Sequence, residues 1–402
     1  MRVAISPGSA VGTISAPPSK SYAHRLMICA ALACGQSTVR GIAESQDMLA
    51  TLDCIGALGA KWSLDGDSLT VEGNAPSFPD GATFPCRESG STLRFLMPLA
   101  AICGSKAIFT GSERLIGRGV GVYERLFSER GIELVRVGNA FELRGPLKPG
   151  EFRLAGNVSS QFISGLLFAL TLLDGDSAIE IIPPVESRPY IEITIDALRR
   201  FGIEVQRRGE NRFEVPGRQS YLPTEAQVEG DWSNAAFLHA LNALGGSVEV
   251  TGLNGASLQG DRVCLEAFAQ LDAENATIDI ADCPDLGPVL FAVAAARGGA
   301  TFTGTRRLRI KESDRAAAMA SELAKFGVSC IVEENSVIIG GGGLGIPTEP
   351  LRGHNDHRIV MSLALLASLV GGEIEGAEAV SKSYPGFFDD LASLGLEITY
   401  GA

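Results

Sequence analysis

Six amphipathic helices, each stopped by a glycine or an aspartate, recur along this chain at a spacing that few folds accommodate. They run from Asp47 to Gly59, Gly121 to Gly131, Tyr190 to Gly202, Asp261 to Asp272, Asp314 to Gly327 and Pro385 to Gly395. The stops fall roughly every seventy residues, with one shorter step between Asp272 and Gly327. Glycine just past the last periodic residue is a stop signal, because the left-handed turn that closes a helix costs it no Cβ clash. Alternating runs follow, such as Lys61-Trp62-Ser63-Leu64 and Ser68-Leu69-Thr70-Val71, and read as paired strands. Ahead of most of these helices lies a more apolar one, clearest at Ser159–Leu173, Ser233–Leu244, Leu286–Ala296 and Asp356–Val370. Each repeat therefore reads strand, buried helix, strand, amphipathic helix, two strands. Such a unit cannot bury its apolar face alone, so copies must stack.

Three copies on either side of Tyr221-Leu222-Pro223-Thr224 predict two similar α/β domains. The strand Val3–Ser6 is expected to pair with Leu396–Tyr400, so that the chain crosses between domains twice. The expected domains are residues 1–13 with 225–402, and residues 14–224. At 42.2 kDa the chain is long enough for two sizeable cores.

A formal charge of −13 argues against a nucleic-acid surface, which needs a basic face. The longest apolar runs, Ile163–Leu173 and Ile359–Val370, fall short of the roughly 20 residues of a membrane span. The start, Met1-Arg2-Val3-Ala4-Ile5, has neither a signal-like apolar region nor an Arg-rich presequence. Eight cysteines without a CxxC pair, and four histidines, favour reduced thiols over a zinc site. A cytoplasmic protein is the expectation.

In so acidic a chain, cations gathered into a few short clusters mark a local site. The clusters are Pro18-Ser19-Lys20-Ser21-Tyr22-Ala23-His24-Arg25, Ser89-Gly90-Ser91-Thr92-Leu93-Arg94, Arg118, Ser159-Ser160-Gln161, Ser187-Arg188-Pro189-Tyr190, Pro284-Asp285, Lys311-Glu312-Ser313-Asp314-Arg315, Asp356-His357-Arg358 and Lys382-Ser383. Most pair a cation with a small hydrogen-bonding residue, which is what phosphate and carboxylate oxygens require. Singly, each reads as an ordinary helix start or loop end: Asp285 as a cap, Lys311 to Arg315 as an exposed first turn.

Taken in order, the motifs Pro-Ser-Lys-Ser-x3-Arg, Ser-Gly-Ser-Thr-x-Arg, Ser-Ser-Gln-Phe, Lys-Glu-Ser-Asp-Arg and Asn-Asp-His-Arg-Ile resemble those of the 5-enolpyruvylshikimate-3-phosphate synthases, over the whole chain. The resemblance implies two domains of three βαβαββ repeats, with helices inside and sheets outside, an inside-out α/β barrel. It implies a double-crossing hinge and an active site in the cleft between the domains. It also implies transfer of the enolpyruvyl group of phosphoenolpyruvate to the 5-hydroxyl of shikimate 3-phosphate, by a monomer that uses no metal or organic cofactor.

Carried over residue by residue, the resemblance assigns phosphoenolpyruvate to Lys20, Gly90, Arg94, Arg118, Gln161, Arg315, His357, Arg358 and Lys382. It assigns shikimate 3-phosphate to Lys20, Ser21, Arg25, Ser159, Ser160, Gln161, Ser187, Arg188, Tyr190, Asp285 and Lys311. Asp285 is the implied base, and Glu312 and Lys20 the implied proton donors. Lys20, packed among cations, is expected to have a lowered pKa, and Glu312, facing anionic substrates, a raised one.

Some positions depart from the pattern. Glu88 stands where many members have Asn, Arg307 replaces a substrate-contacting Asn, and Arg188 replaces a common Lys. Arg118 sits in Leu-Ile-Gly-Arg-Gly rather than in a run ending Arg-Pro. The sister transferase that acts on UDP-N-acetylglucosamine is the nearest rival. It carries Lys-Asn where this chain has Lys20-Ser21, and a reactive cysteine in a loop that here, around Ser112–Gly119, has none. A non-catalytic anion-binding or RNA-end-processing protein of the same repeat type is the rival from another class; the charge and the absence of a basic stripe weigh against RNA.

Overall fold

A computed structural model describes residues 1–401 of the chain. Its contacts divide it into two compact units, Met1–Ser19 with Gly230–Ala402, and Lys20–Glu229.

In the continuous unit, three apolar helices, Lys20–Leu32, Gly90–Ile102 and Ser160–Leu170, are buried almost from end to end. No face of such a helix can meet water, so it must lie inside. Three four-stranded sheets enclose them, and the strands alternate buried and exposed, as in Ala140–Arg144 and Glu151–Ala155. Two of the sheets are built alike: the strand before the apolar helix pairs in parallel with the strand after it, and the hairpin that follows adds two antiparallel strands. For Ala82–Pro85 the parallel partner is Lys106–Thr110, and the hairpin is Glu133–Val137 with Ala140–Arg144.

The discontinuous unit repeats this scheme around Trp232–Ala243, Gly287–Ala296 and His357–Val370, which touch one another. Arg2–Ile5 pairs antiparallel with Ile398–Gly401, joining the two ends of the chain as the sequence predicts. One repeat is incomplete. After the helix Cys264–Gln270 the chain enters Thr277–Asp279 directly, so its sheet has only the two strands Val11–Ser15 and Ser247–Thr251. The missing hairpin accounts for the short step in the sequence spacing.

The crossings fall later than residues 13 and 224. Val11–Ser15 precedes the first apolar helix of the continuous unit, yet it pairs with Ser247–Thr251 of the other. Glu225–Gln227, conversely, completes the sheet of Gly35–Arg40. The two repeats at the crossings have exchanged their first strands, a register that hydrophobic alternation alone does not encode. No described helix is long and apolar enough to cross a membrane.

Each core depends on its central helices. Leu290 is fully buried in the all-apolar helix Gly287–Ala296. Leu290→Ala is expected to cost about 2–5 kcal/mol, read as a lower urea midpoint at unchanged slope.

Candidate active site

Polar groups of the apolar helices concentrate toward their N-terminal ends, and several cations of the sequence clusters lie at or near those ends. In the discontinuous unit the gathering is tight. Asp285 lies in the short turn Pro284–Leu286 that leads into Gly287–Ala296, and Asp356 caps His357–Val370. Arg315 opens the helix Arg315–Lys325 and is 1% exposed. Its guanidinium spans three carboxylates: Nη1 to Asp285 Oδ1 at 2.8 Å, Nη2 to Glu312 Oε2 at 2.7 Å, and Nε to Asp356 Oδ2 at 2.8 Å. Asp285 also receives Lys311 Nζ at 3.0 Å and Arg358 Nη2 at 3.3 Å.

The electrostatics follow from these contacts. Burial raises the Asp285 pKa, but the charges of Arg358, Lys311 and Arg315 outweigh it and hold the carboxyl well below the usual range. Burial pushes the Lys311 amine down to about 8, with Arg307 and Arg315 acting in the same direction and Asp285 and Glu312 opposing them. Asp356 is lowered too, because Arg315 overcomes its burial. It is wholly buried and accepts from the Ser313 and Arg358 backbone N–H groups and from the Ser313 hydroxyl. His357 is buried at the start of its helix, and Lys382 donates to the Asn355 carbonyl at 2.6 Å. Asp285, Lys311, Glu312, Arg315 and Arg358 thus form one ion-pair network, with Lys382 tied to the adjoining loop.

In the continuous unit the predicted residues form a looser set. Arg94 Nη1 donates to Gln161 Oε1 at 2.6 Å, and Gln161 Nε2 donates to Ser91 Oγ at 2.9 Å. Gly90 faces Arg94 and Arg118, and a Cβ there would lie 3.2 Å from Nη1 of each. Ser159 caps the next apolar helix, whose first residue, Ser160, is buried. Lys20 Nζ meets Asp47 Oδ2 at 2.9 Å, so a carboxylate stands where the sequence reading placed only cations.

Arg25 is buried, and its guanidinium lies 4.9 Å from the Phe95 ring centroid. It donates to Thr194 Oγ1 and to the carbonyls of Ser21 and Tyr190. Burial lowers its pKa to about 10. Arg188 reaches Asn211 Oδ1 and the Glu210 carbonyl, beyond Ser187, a buried residue held at φ 57°.

Three acids here had no assigned role. Asp356 stood inside one of the cation clusters, and Asp47 sat in the first turn of an ordinary helix. Asp261 is buried near Asp285, and burial followed by that neighbouring charge raises its pKa to about 6. Asp285 and Glu312 drew attention in the sequence; these three acids did not.

Asp285 and Asp356 have depressed folded-state pKa values, so their stabilisation is present above the unfolded carboxylate value, about 3.9. It is lost as pH falls through the folded values. Asp356→Asn is expected to destabilise the protein by about 3–5 kcal/mol at neutral pH. It is also expected to flatten the acid limb of a urea-midpoint profile below about pH 4.

Residues 6–391 match the family model of EPSP synthase, 3-phosphoshikimate 1-carboxyvinyltransferase. The 3-phosphoshikimate 1-carboxyvinyltransferase of Clostridium kluyveri is 41% identical, covering 98% of both chains. That of Clostridium beijerinckii is 40% identical, covering 97% of both. Among solved structures, an EPSP synthase from Acinetobacter baumannii aligns over 99% of this chain and all of its own, with a TM-score of 0.78 at 25% identity. A match over nearly the whole length, to sequence and fold together, establishes that the chain belongs to the EPSP synthase family.

Proposed function

We propose that the two clusters divide the work of an enzyme that transfers the enolpyruvyl group of phosphoenolpyruvate to the 5-hydroxyl of shikimate 3-phosphate, releasing phosphate. The reaction serves aromatic amino-acid biosynthesis and proceeds by addition and elimination through a tetrahedral intermediate. In this reading Asp285 takes the 5-hydroxyl proton as its oxygen bonds to C2 of phosphoenolpyruvate. Glu312 and Lys20 supply protons to the methylene carbon and to the leaving phosphate. One of the C3 methyl protons then returns to the deprotonated donor as the C2–O bond to phosphate breaks and the C2–C3 double bond re-forms.

The supporting observation is the grip of Lys311, Arg315 and Arg358 on Asp285. Before substrate arrives these cations keep the carboxylate ionised and weakly basic. A bound phosphate or carboxylate competes for the same donors, and each contact it takes removes positive charge from Asp285 and strengthens it as a base. Glu312 must likewise exchange its ion pair with Arg315 for a proton before it can act as an acid.

Arg94, Arg118, Gln161 and the Gly90 amide take phosphoenolpyruvate, joined by Arg315, His357, Arg358 and Lys382. Lys20 touches both substrates. Shikimate 3-phosphate falls to Ser21, Arg25, Ser159, Ser160, Gln161, Ser187, Arg188, Tyr190, Asp285 and Lys311. Ser160 opens a helix whose first-turn amides favour an anion. Both clusters act on one pair of substrates. The reading also takes the chain to be a cytoplasmic monomer.

The deciding assay is phosphate release from phosphoenolpyruvate, with shikimate 3-phosphate and UDP-N-acetylglucosamine offered separately. Release is expected only with the first; release only with the sugar nucleotide would discard the substrate assignments. Asp285→Asn is expected to lower kcat about 10²–10⁴-fold with the KM for shikimate 3-phosphate nearly unchanged. A raised KM with normal kcat would make Asp285 a binding residue only. Gly90→Ala places a methyl against the Arg94 and Arg118 guanidiniums. It is expected to raise the KM for phosphoenolpyruvate several-fold and leave that for shikimate 3-phosphate alone, as measured by initial rates.

A further inference from the structure

Outside the ion-pair network, one fully buried carboxylate has no part in the mechanism above. Glu322 lies seven residues beyond Arg315, two turns along the same face of the helix Arg315–Lys325. Its Oε1 meets His354 Nε2 at 2.8 Å, and its Oε2 accepts the Arg352 backbone N–H at 2.9 Å. Lys325 Nζ lies 2.8 Å from Oε2 and also donates to the Pro350 carbonyl at 2.8 Å. An ionised carboxylate only accepts, so His354 Nε2 carries the hydrogen. Burial opposes the charge, yet the donors from His354, Lys325 and Arg352 hold the carboxyl at about 2.

All of these contacts grip the segment that leads into Asp356. That segment is strained, because His354 and Asn355 sit in succession at φ 49° and 52°. Non-glycine residues persist in the left-handed region only where their surroundings enforce it. Asp356 follows at once and accepts Arg315 Nε from the start of the same helix. One helix therefore holds the loop at two points: Arg315 on Asp356, Glu322 on Arg352 and His354.

We propose that Glu322 is a positioning residue for phosphoenolpyruvate binding, acting through His354 to hold the left-handed His354–Asn355 pair and so fix Asp356, His357 and Arg358. The inference rests on the assignment of His357 and Arg358 to phosphoenolpyruvate made above. Glu322 touches no substrate in it. Releasing the grip lets the two residues relax out of the left-handed region, and the start of the His357–Val370 helix loses its alignment with Arg315.

Glu322→Gln keeps the shape and removes the charge. With full-length enzyme, the KM for phosphoenolpyruvate is expected to rise about tenfold while the KM for shikimate 3-phosphate stays within about twofold. Adding Asn355→Gly, which adopts positive φ without a Cβ penalty, is expected to restore much of the loss. If Glu322→Gln does not yield folded enzyme, His354 serves instead, since its side chain is part exposed. His354→Leu should raise the same KM and His354→Gln, which keeps a donor, should not. Lower stability with unchanged kinetic constants would overturn the proposal, and so would an equal rise in both KM values. Arg358→Ala is the control: an unaltered KM for phosphoenolpyruvate there would sink the assignment of the segment itself rather than the clamp.

Discussion

A helix that is apolar on every side fixes this architecture. Gly287–Ala296 carries no polar side chain, and Ser160–Leu170 carries them only near its start. Such helices must be enclosed, and the strands around them leave only the helix ends for chemistry. Each of the six N-termini accordingly begins with a polar group: Ser19 and Lys20, Ser89, Ser159, Asp231, Asp285 and Asp356. Unsatisfied backbone N–H groups at those ends favour negative charge, so the scaffold itself inclines toward anions before any cation is added.

The cations then present a second problem, because several positive charges cannot be buried together without compensation. In the discontinuous unit the chain places Asp285, Glu312 and Asp356 between them. The three carboxylates set the direction of the Arg315 guanidinium through several hydrogen bonds, which a mobile counter-ion could not do. Asp356 remains wholly internal, whereas Asp285 and Glu312 stay partly accessible and can exchange their partners for a ligand. Burial thus separates the acid that organises the cluster from those assigned to react.

Much of the fold was legible because the repeat is periodic. Glycine stops and apolar runs located the helices, and even the truncated repeat left its mark in the short step before Gly327. The exchanged strands Val11–Ser15 and Glu225–Gln227 were not legible, because pairing partners that distant are chosen by tertiary geometry rather than local pattern. In the site, the clusters around Arg94 and Arg315 could be read from the density of cations in an acidic chain. Asp47, Asp356 and Glu322 could not. Each sits where an acidic residue is ordinary, near a helix start or on an amphipathic helix, and only its contacts set it apart. Asp261 was hidden in the same way by the first turn of a short helix.

The exchange of first strands sets an order in time as the chain leaves the ribosome. Lys20–Glu229 contains all of its own pairing partners, so its core can close as soon as residue 229 has emerged. The first nineteen residues cannot wait in place. Val11–Ser15 needs Ser247–Thr251, and Arg2–Ile5 has no complete sheet until Ile398–Gly401 is made. Val11–Ser15 and Arg2–Ile5 therefore remain unpaired strand edges until those partners are made, the state in which strands are most open to wrong partners. Ile398–Gly401 then captures Arg2–Ile5, and a chain cut short of it would leave that edge of the sheet unpaired.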